Sequence, residues 1–226
     1  MTRAFYRSDI GYYKDTEKGS KEINDWVSLL TEEKIKTIIT PSDLEGSLLV
    51  LTNAIYFHGN WAEQFEPANT YQDTFWSANK AIVTDFMNRK SEIRIGNFER
   101  VDVCVLDYKG ETTSMMIVLP NEDIPLEKVI AQLSTASYLE WCTNLRTTEV
   151  SIQLPKWKLT PPAIELPGSL KNMGLKLPFD EAAANFGNIT QPGLYVSNIM
   201  HKAMIEVNEE GAEAAAATTV VLSTRS

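Results

Sequence analysis

Ser47–Phe57 (SLLVLTNAIYF) sets apolar residues at neighbouring positions in a run rich in β-forming types, so a strand built from it is apolar on both faces. Such a strand belongs in the middle of a sheet that is covered on each side. Asn53 lies inside it. A buried amide must find hydrogen-bond partners, which makes Asn53 either a polar lock or part of a site.

The rest of the chain supplies both strands and helices. Residues 20–38 read as an amphipathic helix with Ile23, Trp26, Val27 and Leu30 at helical spacing, Ser20 as its N-cap, and a restart after Thr31 at Glu32-Glu33. Residues 92–119 read as a β-meander that turns at Lys109-Gly110. Pro125 starts a helix with Leu126, Val129, Ile130 and Leu133 on one face, and Val150–Leu154 alternates as a strand. Residues 161–174 make a poor helix because Pro161-Pro162 and Pro167-Gly168 interrupt it. Leu194–Asn208 returns to strand, with Ile199, His201, Ala203, Ile205 and Val207 on one face, so His201 projects from an apolar stripe. With no repeat and no long linker, residues 1–226 read as one interleaved domain.

Composition excludes several classes of function. Thirty acids against 21 bases give a net charge of −9, which repels nucleic acid phosphates, and no basic run offsets it. No stretch approaches the roughly 20 apolar residues of a membrane helix. Cys104 and Cys142 are too few for a disulfide framework and lack metal-ligand spacing, so they read as two buried free thiols, and nothing calls for a metal or a cofactor. An enzyme would have to draw its nucleophile and base from Cys104 or Cys142 with His58 or His201. There is no Gly-x-Ser-x-Gly elbow and no phosphate loop, so the chain reads as a non-enzyme. No secretory signal opens the sequence, so the protein is either intracellular or starts upstream of Met1, and Asn188-Ile189-Thr190 is a glycosylation sequon, a triplet common by chance that favours secretion only weakly.

The C-terminal stretch is the most informative. Its alanines favour a helix, but Gly211 stands at the entrance and the run passes into Thr218-Thr219-Val220-Val221. Read as a strand it alternates. Ala212, Ala214, Ala216, Thr218, Val220 and Leu222 form one small or apolar face, while Glu213 falls on the other with Ala215 and Ala217. Such a segment can slide into a sheet without burying a charge. The 14 steps from Gly211 to Arg225 span about 45–50 Å when extended.

Four blocks resemble the serpin family of serine protease inhibitors, and they stand in family order. Asn53-Ala-Ile-Tyr-Phe-His-Gly-Asn-Trp61 resembles the end of the third strand of the family's main sheet, and Ser114-Met-Met-Ile-Val-Leu-Pro-Asn121 a second family block. Leu154-Pro-Lys-Trp157 resembles the sixth strand, and His201-Lys-Ala-Met-Ile-Glu-Val-Asn-Glu-Glu-Gly211 the fifth strand and hinge. The resemblance covers the chain from about residue 20. It implies an α+β serpin fold, with a large central mixed sheet, further sheets and surrounding helices, incomplete in this chain. The N-terminal helices, the second strand of the main sheet and the C-terminal strands are expected to lie outside it, as are the hydroxyl groups that partner the family's shutter, the polar cluster under the main sheet where it must open.

The resemblance also implies function. Residues 209–226 become hinge and reactive-centre loop. Glu209, Glu210, Gly211, Ala212, Glu213, Ala214, Ala215, Ala216, Ala217 and Thr218 form the hinge, and Arg225–Ser226 is the bait bond. Cleavage there would give an acyl-enzyme, and the freed hinge would insert as an extra strand before the ester hydrolyses, dragging and distorting the protease. Arginine before the bond implies trypsin-like targets. Asn53 and His201 match the family's shutter, and Trp61, Lys156 and Glu209 its breach. Asn188 becomes a glycosylation site and the protein extracellular. Glycosaminoglycan binding stays open, because the family's usual basic region lies outside this chain. The chain departs from the family at His58, where a lysine is common, at Pro167-Gly168, and in a shortened turn before Lys109. The competing readings are a noninhibitory serpin, whose hinge would carry bulky, charged or proline residues, and an inactive fragment.

Overall fold

The computed structural model describes residues 11–77, 80–110, 112–188 and 193–212. In chain order the helices are α1 (Thr16–Leu30), α2 (Pro41–Leu44), α3 (Leu126–Gln132), α4 (Thr135–Thr143) and α5 (Pro167–Asn172). The strands are β1 (Val50–Ile55), β2 (Gly59–Asn60), β3 (Tyr71–Ser77), β4 (Lys80–Asn97), β5 (Val101–Asp107), β6 (Ser114–Pro120), β7 (Arg146–Pro155), β8 (Trp157–Leu159), β9 (Ile164–Glu165), β10 (Asn198–Ala203), β11 (Ile205–Val207) and β12 (Gly211–Ala212). The chain forms two compact units, each made of separate stretches: Met1–Tyr56 with Leu159–Ile205, and Phe57–Lys158 with Glu206–Ser226.

In the first unit α1 begins earlier than the sequence pattern predicts. Asp15 is the cap, its Oδ1 accepting from Lys18 N at 3.1 Å. Ser20 lies inside the helix, buried, its hydroxyl donating to Glu17 O. The helix also stops at Leu30 and does not restart. Thr31 Oγ1 donates to Val27 O at 2.8 Å and accepts from Ile35 N at 3.1 Å, which turns the chain away from helical bonding. Asn24 then fastens the returning chain, accepting from Ile38 N and Ile39 N and donating to Ile39 O. The packing behind this turn is a core of Val27, Ile35, Ile38, Ile39, Met200 and Met204.

That turn is strained. Glu32 and Glu33 have φ of 50° and 61°, left-handed values that cost a side-chain-bearing residue about 1 kcal/mol or more. Glu33 N donates to Ser28 O at 2.7 Å, closing a helix end in which Glu32 takes the position that favours glycine, and Glu33 follows it in the same left-handed conformation. Glu33→Gly is therefore expected to stabilise the protein by about 0.5–1 kcal/mol after the unfolded-state entropy of glycine is subtracted. Chemical denaturation measures it, and a fall in stability would contradict the assignment of strain.

β1 pairs with β10 in parallel, and β10 with β9 antiparallel, giving the order β1-β10-β9. Val50 and Ala54 of β1 pack against the core, while Leu51 and Ile55 are exposed, so among the described residues the strand is covered on one face rather than two. The segment 194–208 also differs from the expected single strand. Met204 separates β10 from β11, and the buried side chains are Val196, Met200, Met204 and Val207, so the alternation does not run unbroken. The interrupted helix expected at 161–174 is reduced to α5, preceded by β9.

In the second unit the expected meander is present. β5 and β6 pair from Val101↔Pro120 to Asp107↔Ser114, in a sheet ordered β3-β4-β5-β6 with β7 also on β4. β7 runs from Arg146 to Pro155, longer than its alternating centre suggests, because it pairs with β4 along ten positions. Val101, Val103, Val129 and Trp141 form the core between this sheet and the helices α3 and α4. The cysteines are free, but only Cys104 is partly buried, and Cys142 is exposed on α4, which corrects the expectation of two buried thiols. Burial pushes the Cys104 thiol pKa up. A second sheet has the order β2-β12-β11-β8.

Candidate functional site

The parallel register of β1 and β10 sets Asn53 opposite His201. Asn53 Oδ1 lies 2.9 Å from His201 Nδ1, so the imidazole donates from Nδ1 to the amide oxygen. The two polar residues thus partner each other, but Asn53 is exposed on β1 and His201 half-buried, which corrects the expectation of a buried amide, because among the described residues no element covers that face. Lys202, next along β10, donates to Thr37 O at 2.8 Å. These contacts belong to the first unit.

The second unit holds the other cluster, and Trp61 is its anchor. The indole is fully buried, stacked on Tyr108 with centroids 4.7 Å apart and planes 8° from parallel. It meets Phe65 edge-on. A buried indole N–H must be paired, and Nε1 donates to Asn208 O at 2.9 Å. Burial pushes the Tyr108 phenol up to about 12.

Glu209 sits beside this aromatic stack with only 13% of its side chain exposed. Lys156 Nζ lies 2.9 Å and 3.0 Å from its two carboxylate oxygens, and Thr70 Oγ1 donates to Oε1 at 2.8 Å. The predicted pair of Lys156 and Glu209 is formed, and Thr70 is a third partner that the sequence does not reveal. The main chain is held as well. Phe65 N donates to Glu209 O, while Trp61 N and Gln64 Nε2 donate to Glu210 O.

Burial works to raise the Glu209 pKa, but the hydrogen bonds from Lys156, its own backbone and Thr70, with the charge of Lys156, outweigh it, and the carboxyl lies below its ordinary value. A depressed carboxylate contributes stability that is complete above the unfolded pKa and is lost as pH falls through the folded one. Glu209→Gln is expected to cost about 1–2 kcal/mol near pH 7. The difference from the parent should shrink steadily from about pH 5 to about pH 3 in denaturation measurements. A difference that stays constant over that range would contradict the pairing.

Past Glu209 and Glu210 the chain becomes β12. Gly211 pairs with Asn60 and Ala212 with Gly59 on one side, and Ala212 pairs with Val207 of β11 on the other. Both residues are buried. Gly211 has no room for a side chain, since a Cβ would lie 2.1 Å from Gly59 O and 2.7 Å from Asn60 Cα. The glycine is therefore required by close backbone approach, as at other crowded strand positions.

The remaining predicted residues fall otherwise. Glu213, Ala214, Ala215, Ala216, Ala217, Thr218, Arg225 and Ser226 lie outside the described residues. Asn188 is exposed, and the rest of its sequon also lies outside them.

The whole chain, residues 1–226, matches the family model described as "Serpin (serine protease inhibitor)". Human Serpin B3 is 36% identical over 228 residues, an alignment covering 97% of this chain and 58% of the relative. The crystal structure of native protease nexin-1 with heparin superposes with a TM-score of 0.86 at 30% identity, covering 100% of this chain and 62% of that one. A thyroxine-binding globulin complex with thyroxine superposes with a TM-score of 0.84 at 25% identity, covering 98% of this chain and 61% of that one. The chain thus spans about three-fifths of the length of these relatives.

Proposed function

The chain belongs to the serpin family, and from that premise we propose that the complete protein is a suicide-substrate inhibitor of trypsin-like serine proteases, cut at Arg225–Ser226. Residues 1–226 are then part of one larger serpin domain, and 209–226 its hinge and reactive-centre loop. One observation carries the reading. β12, the first two residues after Glu210, already runs as a strand between β2 and β11. The chain reaches β2 from β1 through 56–58 and β11 from β10 through Met204, and β1 and β10 are themselves direct parallel neighbours. A hinge whose first two residues are already paired on both sides as a strand is what an insertion mechanism requires of its starting point.

In the family's scheme the inserting strand enters between the two strands that carry the shutter, and Asn53 and His201 bridge the neighbouring strands β1 and β10. This supports their role as the shutter. Trp61, Lys156 and Glu209 surround the point where β12 starts, which supports their role as the breach. The small face from Ala212 to Thr218 can be buried without burying a charge. The protein performs no catalysis in this scheme. The acyl-enzyme chemistry is the protease's, and the serpin contributes the sheet transition that outruns deacylation.

Extracellular location and glycosylation at Asn188 are part of the same proposal, resting on family membership and the sequon. One related structure supports a second reading, a noninhibitory carrier: the thyroxine-binding globulin of the comparison holds thyroxine. Incubation of the complete protein with trypsin separates the two. An SDS-stable complex is the expected result, and cleavage without a complex favours the carrier.

A further inference from the structure

The turn that joins β11 to β12 is held from outside by Trp61, Gln64 and Phe65 and closed from within by one residue, Asn208. Its side-chain Oδ1 accepts from two successive backbone amides, Glu210 N at 3.0 Å and Gly211 N at 3.2 Å. Its own N–H donates to Gly211 O at 2.9 Å, and its carbonyl takes the indole hydrogen of Trp61 at 2.9 Å. One residue therefore binds both ends of a four-residue reversal and fixes that reversal to the buried aromatic stack. Lys156 and Thr70 bind the Glu209 carboxylate and take no part in this network.

We propose that Asn208 is the positioning residue that starts the hinge strand in register, a latch that determines whether a freed hinge enters the sheet promptly. The inference rests on the inhibitor reading and assigns it a further determinant. Its physical basis is the local competition of an asparagine side chain for backbone amides. With Oδ1 in place, Glu210 N and Gly211 N are satisfied within the turn, and Gly211 is delivered opposite Asn60 and Ala212 opposite Gly59. Without it those two amides must find water or other partners, and the first pair of the new strand is no longer aligned. In an inhibitor whose outcome depends on a race between insertion and deacylation, misalignment at the first pair slows only the insertion.

Aspartate offers the same acceptor in the same place, whereas alanine offers none. The variants are therefore Asn208→Ala and Asn208→Asp in the complete protein, with two readouts. Hydrogen exchange of the Glu210 and Gly211 amides should quicken by about tenfold or more in Asn208→Ala and stay near the parent rate in Asn208→Asp. The number of inhibitor molecules consumed per trypsin molecule trapped should rise severalfold in Asn208→Ala and return toward the parent value in Asn208→Asp. Unchanged exchange in Asn208→Ala overturns the latch. Faster exchange with an unaltered stoichiometry overturns its role in insertion. If the parent forms no complex with trypsin, it is the inhibitor reading that fails, and the exchange comparison alone decides whether Asn208 holds the turn.

Discussion

Gly211→Ala is expected to turn the proposed inhibitor into a substrate, raising the stoichiometry of trypsin inhibition at least tenfold while the proposed bait bond is still cut. The argument is steric. A single methyl at this position would stand 2.1 Å from the carbonyl oxygen of Gly59 and 2.7 Å from Asn60 Cα, and both obstacles are backbone. A side chain can rotate away from a clash, but two paired strands can relieve this one only by moving apart. That movement breaks the pairing of Gly211 with Asn60 and of Ala212 with Gly59, and it pulls on the bond from Trp61 N to Glu210 O. The proposed insertion then loses its first two registered pairs. A delay of about 1.4 kcal/mol in the insertion barrier is a tenfold change in the partition between trapping and release. A variant that traps trypsin with the parent's stoichiometry would show that β12 is not the seed of the inserted strand.

Arg225→Ala is expected to slow the association with trypsin by roughly 150- to 5,000-fold. A trypsin-like specificity pocket ends in a buried carboxylate, and a guanidinium pairs with it through two parallel hydrogen bonds. Removing one partner of such a pair leaves the other charge buried and unpaired, at a cost of about 3–5 kcal/mol. The same substitution should improve association with a protease that has a small apolar pocket, because alanine fits there and arginine does not. This pair of opposite changes separates a specificity effect from damage to the fold, which would weaken both reactions. Equal inhibition of trypsin by parent and variant would place the bait bond elsewhere in the loop.

The local parts of this fold are legible where the pattern is local. The hairpin of β5 and β6 follows from two β-rich runs around Lys109-Gly110, and the strand nature of β1 and β10 follows from their composition. The limits of α1 are not legible in the same way. Ser20 is a good capping residue by type, but Asp15 supplies the cap, and the expected restart at Glu32-Glu33 is instead a left-handed turn. Tertiary packing of Ile35, Ile38 and Ile39 under Asn24 outweighs the helix propensity of the glutamates there. The same holds for β1, whose two apolar faces show that cover is needed but not what supplies it.

The candidate site divides along the same line. Asn53 and His201 stand out because each is polar within an apolar strand, and their partnership is a consequence of a register 148 residues apart in sequence. Glu209 and Lys156 carry complementary charge and could be paired through the family resemblance. Thr70 and Tyr108 carry no such mark. A threonine next to a short turn and a tyrosine at a strand end are ordinary, and only the folded chain brings the first to the Glu209 carboxylate and the second under Trp61. Asn208 belongs with them, because its role lies in backbone amides, which have no sequence signature beyond the turn-forming tendency of asparagine.

In the proposed mechanism the segment after Ala212 is a spare strand, kept out of a sheet that is more stable with it inside. The measurement that tests it most directly is the melting temperature of the complete protein before and after a single cut at Arg225–Ser226. Burial of the small face and completion of the strand pairing predict a rise of roughly 20 °C or more in the cut form. A cut protein that melts at the temperature of the intact one, or below it, would mean that no free energy was stored in the loop.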